Sequence, residues 1–379
     1  MKPAEVIEDQ VIRKADMSKP SLLSAVIFFL AISFVGQKAA AQTQTPSTRP
    51  LGPAEINQLK TSAQSGDPTS QLNLGKAYED GNGVPQSDSL AVKWYRAAAE
   101  QGNSTAQNDV GLMFRLGRGV EQDKLDAVNW YKKAAKQENP KAMFNLGTAY
   151  YNGDGVASNE LTAYAWFLLA QNFHGQSAID AVKRMKEEAG SMEPDALEKI
   201  GDMYEKGDDL PRSSAKAIGW YRKAAPSGSP RLQMKLANLL FHDPDATADY
   251  SEVKDLCESA AKLKYPPGSY CMGELYDHGW GVEHDLPKAA KWFTEAASAG
   301  YAAADLRLGE MYWKGEGLKE DKIYAYAFIF LASTAEVPGA KQQKETLEKE
   351  LTPKEVAKGK KRAVEWAQQH PSFGLRRIQ

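Results

Sequence analysis

GDPTSQLNLGKAYEDGNGVPQSDSLAVKWYRAAAEQG, residues 66–102, returns along the chain with a fixed step. From Gly75, steps of 36 residues reach Gly111 and Gly147, one step of 54 reaches Gly201, and steps of 36 then reach Ala237, Gly273 and Gly309. Trp94 starts the same ladder: Trp130, Trp166, Trp220 after the long step, Leu256, Trp292 and Phe328. A fixed period of this size marks stacked structural repeats, each of which buries its apolar face only against its neighbours. The expected fold is therefore all-α. It is an α/α superhelical solenoid of seven helix-turn-helix units of about 36 residues, with a one-helix insertion after the third unit and a C-terminal capping helix region.

Local chemistry supports two helices per unit. The first opens after Asp67-Pro68, Asn139-Pro140 or Ser229-Pro230, where a capping oxygen precedes a proline that needs no N–H. Leu74, Gly75 and Tyr78 share one face of it. It stops at Gly81-x-Gly83-Val84, since glycine supplies the positive φ that turns the chain. The second helix starts at Ser87, Asp123, Asn159, Ser213, Asp249, Asp285 and Asp321, all capping residues worth about 1 kcal/mol each. Ala91, Trp94, Ala98 and Ala99 then line a face that lets helices approach closely. A glycine inside the first helix costs about 1 kcal/mol against alanine, so its return in six units implies a close backbone contact there.

Working outward, residues 1–41 are read as a signal peptide: Lys14 and Lys19, an apolar run Leu22–Val35, and an Ala-rich exit before Gln42. Met17 is a more usual start for such a segment. The apolar run is short of the roughly 20 residues that span a bilayer, and the alternative is an uncleaved N-terminal anchor. Both readings place the repeats outside the cytoplasm, in the periplasm for the cleaved form. Residues 42–65 form a linker and an N-terminal capping helix, 66–175 the first three repeats, 176–193 the inserted helix, 194–336 four further repeats, and 337–379 capping helices and a tail. One extra helix reverses the up-down alternation, so a kink or a division into two blocks is expected at about residue 190.

The units LGKAYEDGNGVPQSDSLAVKWYRAAAEQG, NDVGLMFRLGRGVEQDKLDAVNWYKKAAKQ and YCMGELYDHGWGVEHDLPKAAKWFTEAASAG resemble Sel1-like repeats, relatives of the tetratricopeptide repeat. The likeness covers about residues 66–336. It departs most in the fifth unit, where Ala237, His242-Asp243-Pro244 and Leu256 replace the usual residues. The resemblance implies a right-handed superhelix that binds other proteins, with exported bacterial members serving as adaptors or regulators of envelope processes. In such stacks the first helices line the concave side. The positions of Asn73, Lys76 and Glu79 point into it, and the candidate partner-binding residues there are Asn73, Lys76, Arg115, Asn145, Tyr151, Asn238, Phe241, Arg307 and Trp313. Trp313, Phe241 and Tyr151 stand out, because a large apolar group on an exposed groove position asks for a partner.

Lys and Arg number 47 against 49 Asp and Glu, without the basic face of a nucleic-acid protein. The expected partner is a protein or peptide of the cell envelope, with no nucleic acid, and with the membrane touched only through the signal or anchor. No catalytic constellation is present: there is no Gly-x-Ser-x-Gly elbow and no strand-linked GxGxxG. His278 and His284, with Asp277, Glu283 and Asp285, gather in one loop, but Asp285 is a cap and zinc-type spacing is missing, so no metal or cofactor is expected. Cys257 and Cys271 sit roughly level on neighbouring antiparallel helices, where either a disulfide or two buried thiols fit. The alternatives to a scaffold are a cell-wall or β-lactam hydrolase, by analogy with cysteine-rich Sel1-like proteins, and a glycan-binding module.

Overall fold

The computed structural model describes residues 50–173, 175–189, 192–242 and 250–370. The predicted signal segment, residues 42–49 of the linker, the Asp249 cap and the tail 371–379 lie outside the described residues. Within them the chain is all-helical, with eighteen α-helices and no strand. After α1 (Pro53–Gln64) the helices run in pairs: α2 (Pro68–Asp80) with α3 (Asp88–Glu100), α4 (Ser104–Leu116) with α5 (Lys124–Ala135), and α6 (Pro140–Asn152) with α7 (Glu160–Asn172). The single helix α8 (Gln176–Ala189) follows. Pairing resumes with α9 (Glu193–Lys206) and α10 (Ser214–Ala224), α11 (Pro230–His242) and α12 (Tyr250–Lys262), α13 (Pro266–His278) and α14 (Leu286–Ser298), and α15 (Ala302–Lys314) and α16 (Lys322–Thr334). Helices α17 (Ala340–Glu350) and α18 (Pro353–Gln369) end the array.

The helix boundaries follow the local chemistry. Backbone N–H groups of Leu90, Asp126, Lys216, Lys288 and Tyr324 donate to the side chains of Ser87, Asp123, Ser213, Asp285 and Asp321 at 2.9–3.3 Å. The first helices of the pairs end on Gly81, Gly117, Gly279 and Gly315 in the left-handed region, φ 66–72°.

The nearest contact behind the recurrent helix glycine is a ring in five of the six units, while Gly309 meets Ile329 instead. A Cβ on Gly75 would meet Tyr95 Cδ1 at 2.5 Å, and one on Gly111 would meet Tyr131 Cε1 at 2.6 Å. Gly147 faces Phe167 and Gly273 faces Phe293 in the same way. These rings are the deepest of the core: Tyr95, Tyr131, Tyr221 and Phe293 are fully buried. The tryptophans of the ladder sit 100° round the helix from these rings and vary in depth, with Trp166 and Trp220 buried. Trp94, Trp130 and Trp292 are half-buried, and lysine ammoniums lie 3.9 Å over Trp130 and 4.0 Å over Trp220.

The chain divides into two compact units. One runs to Ala134 and includes Thr148–Glu160; the other holds Ala135–Gly147 and everything from Leu161. The division therefore falls within the third helix pair and not at residue 190. Helix α8 buries Ala178, Ala181, Val182 and Met185, so its apolar face is absorbed into the same compact unit as the pairs that follow it. At the C-terminal end, α18 covers α16 through a Phe328–Trp366 edge contact at 4.9 Å, and the Tyr326 hydroxyl donates to Glu348 on α17 at 2.7 Å. Thr352 and Glu355 form a reciprocal capping box at the start of α18.

Candidate partner-binding face

Three positions on each first helix carry the residues that differ from pair to pair. Asn73 and Lys76 are exposed on α2 and line a cleft of about 440 Å³ against α1, with Leu59, Asp80 and Asn82 beside them. Burial, with Glu79 alongside, holds the Asp80 carboxyl above its ordinary range. On α4, Arg115 is half-buried beside Tyr131. Burial pushes the Tyr131 phenol up to about 12, with the Arg115 guanidinium pulling the other way. Asn145 and Tyr151 on α6 are half-buried and already engaged by neighbouring groups.

Asn238 is exposed on α11. Phe241, one turn on, is half-buried and meets Trp280 edge-on at 4.7 Å and Tyr250 at 6.1 Å. His278 stacks on Trp280 at 4.0 Å. Arg307 is not available on the face: it is paired with Asp277 on the preceding first helix and with Glu310. Trp313 is also taken up internally. It packs with Tyr326, Ile329 and Leu347, and its Nε1 donates to Glu350 at 3.3 Å. Asn73 and Lys76 on α2 and, in the other compact unit, Asn238 on α11 are thus exposed, while Arg307 and Trp313 tie neighbouring helices together.

Two networks on this face lie outside the sequence reading. Lys235 reaches back from α11 to Glu198 at 2.9 Å and Asp202 at 2.6 Å on α9, and the Tyr221 hydroxyl donates to Asp202 at 2.7 Å. Burial opposes the Asp202 carboxylate, but the Lys235 and Tyr221 hydrogen bonds outweigh it and hold its pKa below the usual range. The second network uses the residue between the two turn glycines. Asn82 accepts from the Leu51 N–H at 2.9 Å, Arg118 binds Asp88 at 2.7 Å, Asp154 binds Lys124 at 2.7 Å, and Trp280 lies parallel to Tyr250 at 6.2 Å. Charge complementarity thirty residues apart is the sequence signal for the two ion pairs among these ties.

Glu274, at the Lys76 position of α13, is a half-buried carboxyl. Burial raises its pKa, and Tyr270, His278, Arg307 and His242 pull it down without offsetting that rise. A carboxyl with a raised folded pKa contributes stability below its unfolded value and loses it as pH rises through the folded one. Glu274→Gln is therefore expected to raise the melting temperature by a few degrees at pH 7 and to do little at pH 4. Thermal denaturation at both pH values checks this, and an equal shift at both would assign the effect to something other than the buried charge.

Among the described residues no group of three or more His, Cys, Asp or Glu is placed to hold a metal. Asp285 caps α14 and Asp277 is spent on Arg307, which disperses the acid–histidine cluster of that loop. Also among them, no helix is long and apolar enough to cross a membrane.

The Sel1 repeat description matches residues 68–103, 104–139, 140–170, 194–229, 268–301 and 302–336, more than half of the chain, and passes over 230–267. The chain belongs to the Sel1 repeat family. It is 23% identical over 145 residues to the alginate biosynthesis protein AlgK of Pseudomonas syringae pv. tomato, which covers 38% of this chain and 31% of that protein. The chain spans less than half the length of the curated relatives it matches. Among solved structures it is similar to a Sel1 repeat protein from Oxalobacter formigenes, at 30% identity and TM-score 0.37, covering 78% of this chain and 80% of that one. It is also similar to c5321, a protective antigen of uropathogenic Escherichia coli, at 26% identity and TM-score 0.44, covering 84% of this chain and 73% of that one. Sel1 repeat proteins generally mediate protein–protein interaction and are generally non-catalytic.

Proposed function

We propose that this Sel1 repeat protein is a non-catalytic scaffold or regulator of the cell envelope that binds a protein or peptide partner on the face of its first helices. The observation that carries this reading is the split between framework and face. Caps, turn glycines and buried rings repeat, while the exposed first-helix positions change from pair to pair, as Asn73, Lys76 and Asn238 do. A surface of that kind suits recognition, because polar side chains on a rigid stack present fixed hydrogen-bond partners at little entropic cost. The signal-like segment 1–41 and the likeness to an alginate biosynthesis protein support an exported, periplasmic setting.

Co-purification from envelope extract tests the reading. Wild type is expected to retain a partner that an Asn73→Ala/Lys76→Glu variant and an Asn238→Arg variant lose, while Lys93→Glu on the second-helix surface keeps it. Identical partner lists for all four chains would overturn the assignment of the face.

A further inference from the structure

An open cleft of about 720 Å³ lies where α7, α9 and α10 come together. It coincides with the break in the repeat. Three residues, 101–103, join α3 to α4, whereas twenty residues including α8 separate the end of α7 from the start of α9. The end of α7, the start of α9 and the end of α10 are left bordering a gap.

The lining is two-sided. Leu168, Leu197, Pro194 and Trp220 make an apolar wall. Glu193 and Lys223 supply the charges at its edge, and only one of these is free to act. Glu193 is paired with Lys186 at 2.9 Å, so its charge is already answered. Lys223 is exposed, has no carboxylate partner among the described residues, and holds its ammonium 4.0 Å over the Trp220 ring. The cleft therefore presents an apolar floor with a net positive lip. Its volume falls within the roughly 300–1,000 Å³ of ordinary ligand sites, enough for one or two large side chains and too small for a helix face.

We propose that this cleft docks a protein segment that inserts a large apolar side chain against Leu168, Leu197 and Trp220 and places an adjacent carboxylate on Lys223. An apolar anchor in a pocket with a charge-assisted contact at its rim is the arrangement that concentrates binding energy in few residues. None of the nine candidate residues of the first-helix face lines the cleft, so this docking does not depend on the function proposed above.

Selection of random twelve-residue peptides on the full chain provides the probes. Enriched peptides are expected to carry an aromatic or large aliphatic residue within two positions of Asp or Glu. A fluorescently labelled peptide of that set should bind saturably by anisotropy. Lys223→Glu should weaken it at least about tenfold, and Asn172→Trp, which fills the cleft from an exposed position, should abolish it while the melting temperature stays unchanged. Asn238→Arg should leave the affinity as it was. No enrichment, enrichment of basic peptides, or equal binding to Lys223→Glu and Asn172→Trp overturns the proposal. Loss of binding in Asn238→Arg alone would place the peptide on the first-helix face and overturn it as well.

Discussion

Replacing Tyr221 with alanine is expected to destabilise the helix pairs around it by about 3–5 kcal/mol, the range for deleting a buried aromatic. The ring is fully buried, and Gly201 opposite has no side chain to move into the space. The loss is also polar. The Tyr221 hydroxyl lies 2.7 Å from Asp202 and 2.5 Å from Glu205, which share its one proton, and burial together with those carboxylates drives the phenol pKa far above its ordinary value, so it remains a donor at any working pH. Tyr221→Phe isolates the hydroxyl and should cost about 1–2 kcal/mol, because Asp202 keeps Lys235. Stacked repeats unfold partly through nearest neighbours. Hydrogen exchange in α9 and α10 should therefore accelerate more than in α15 and α16, alongside a lower urea midpoint. Equal losses for the phenylalanine and alanine variants would show that the ring is not what holds α9 to α10.

That ring position shows how far the sequence could be read. The 36-residue period, the caps at Ser87, Asp285 and Asp321 and the turn glycines were legible because each depends on local chemistry. The period identifies equivalent positions but does not orient them. Tryptophan drew attention as the rarer marker, yet the side chain that fills the glycine gap is the next residue, 100° further round the helix. The face was legible only in part for a related reason. Arg307 and Trp313 stand at variable first-helix positions, but whether such a residue is free depends on what the adjoining helix offers. Asp277 takes one and Glu350 the other. Asn82, Arg118, Asp154 and Trp280, between the recurrent turn glycines, carry no repeated signal because their junctions are tied by a hydrogen bond, two ion pairs of opposite polarity and a ring stack.

The fifth pair replaces both halves of the glycine–ring contact, and the largest effect after Tyr221 is expected there. Ala237 stands where glycine stands elsewhere, and Cys257 stands where Tyr221 and Phe293 stand. Cys257 is joined to Cys271 by a disulfide, with Cα atoms 5.8 Å apart and a sequence separation of 14. Ala237 and Cys257 are both buried, and the sulfur bridge ties α12 to α13. Closing a loop of this length restricts the unfolded chain by about 3 kcal/mol, so the Cys257→Ala/Cys271→Ala variant should lose about that much plus the packing of a buried sulfur. Reduction of the native chain should reproduce most of the loss without changing the sequence. Restoring the usual contact with Ala237→Gly, Cys257→Tyr and Cys271→Asn should recover part of it, because a tyrosine ring then refills the glycine gap. Urea midpoints of the four states, oxidised, reduced, double alanine and rebuilt, measure each step. A reduced chain as stable as the oxidised one would mean that packing alone holds this pair, and a rebuilt chain less stable than the double alanine would mean that the fifth pair no longer has room for the ring.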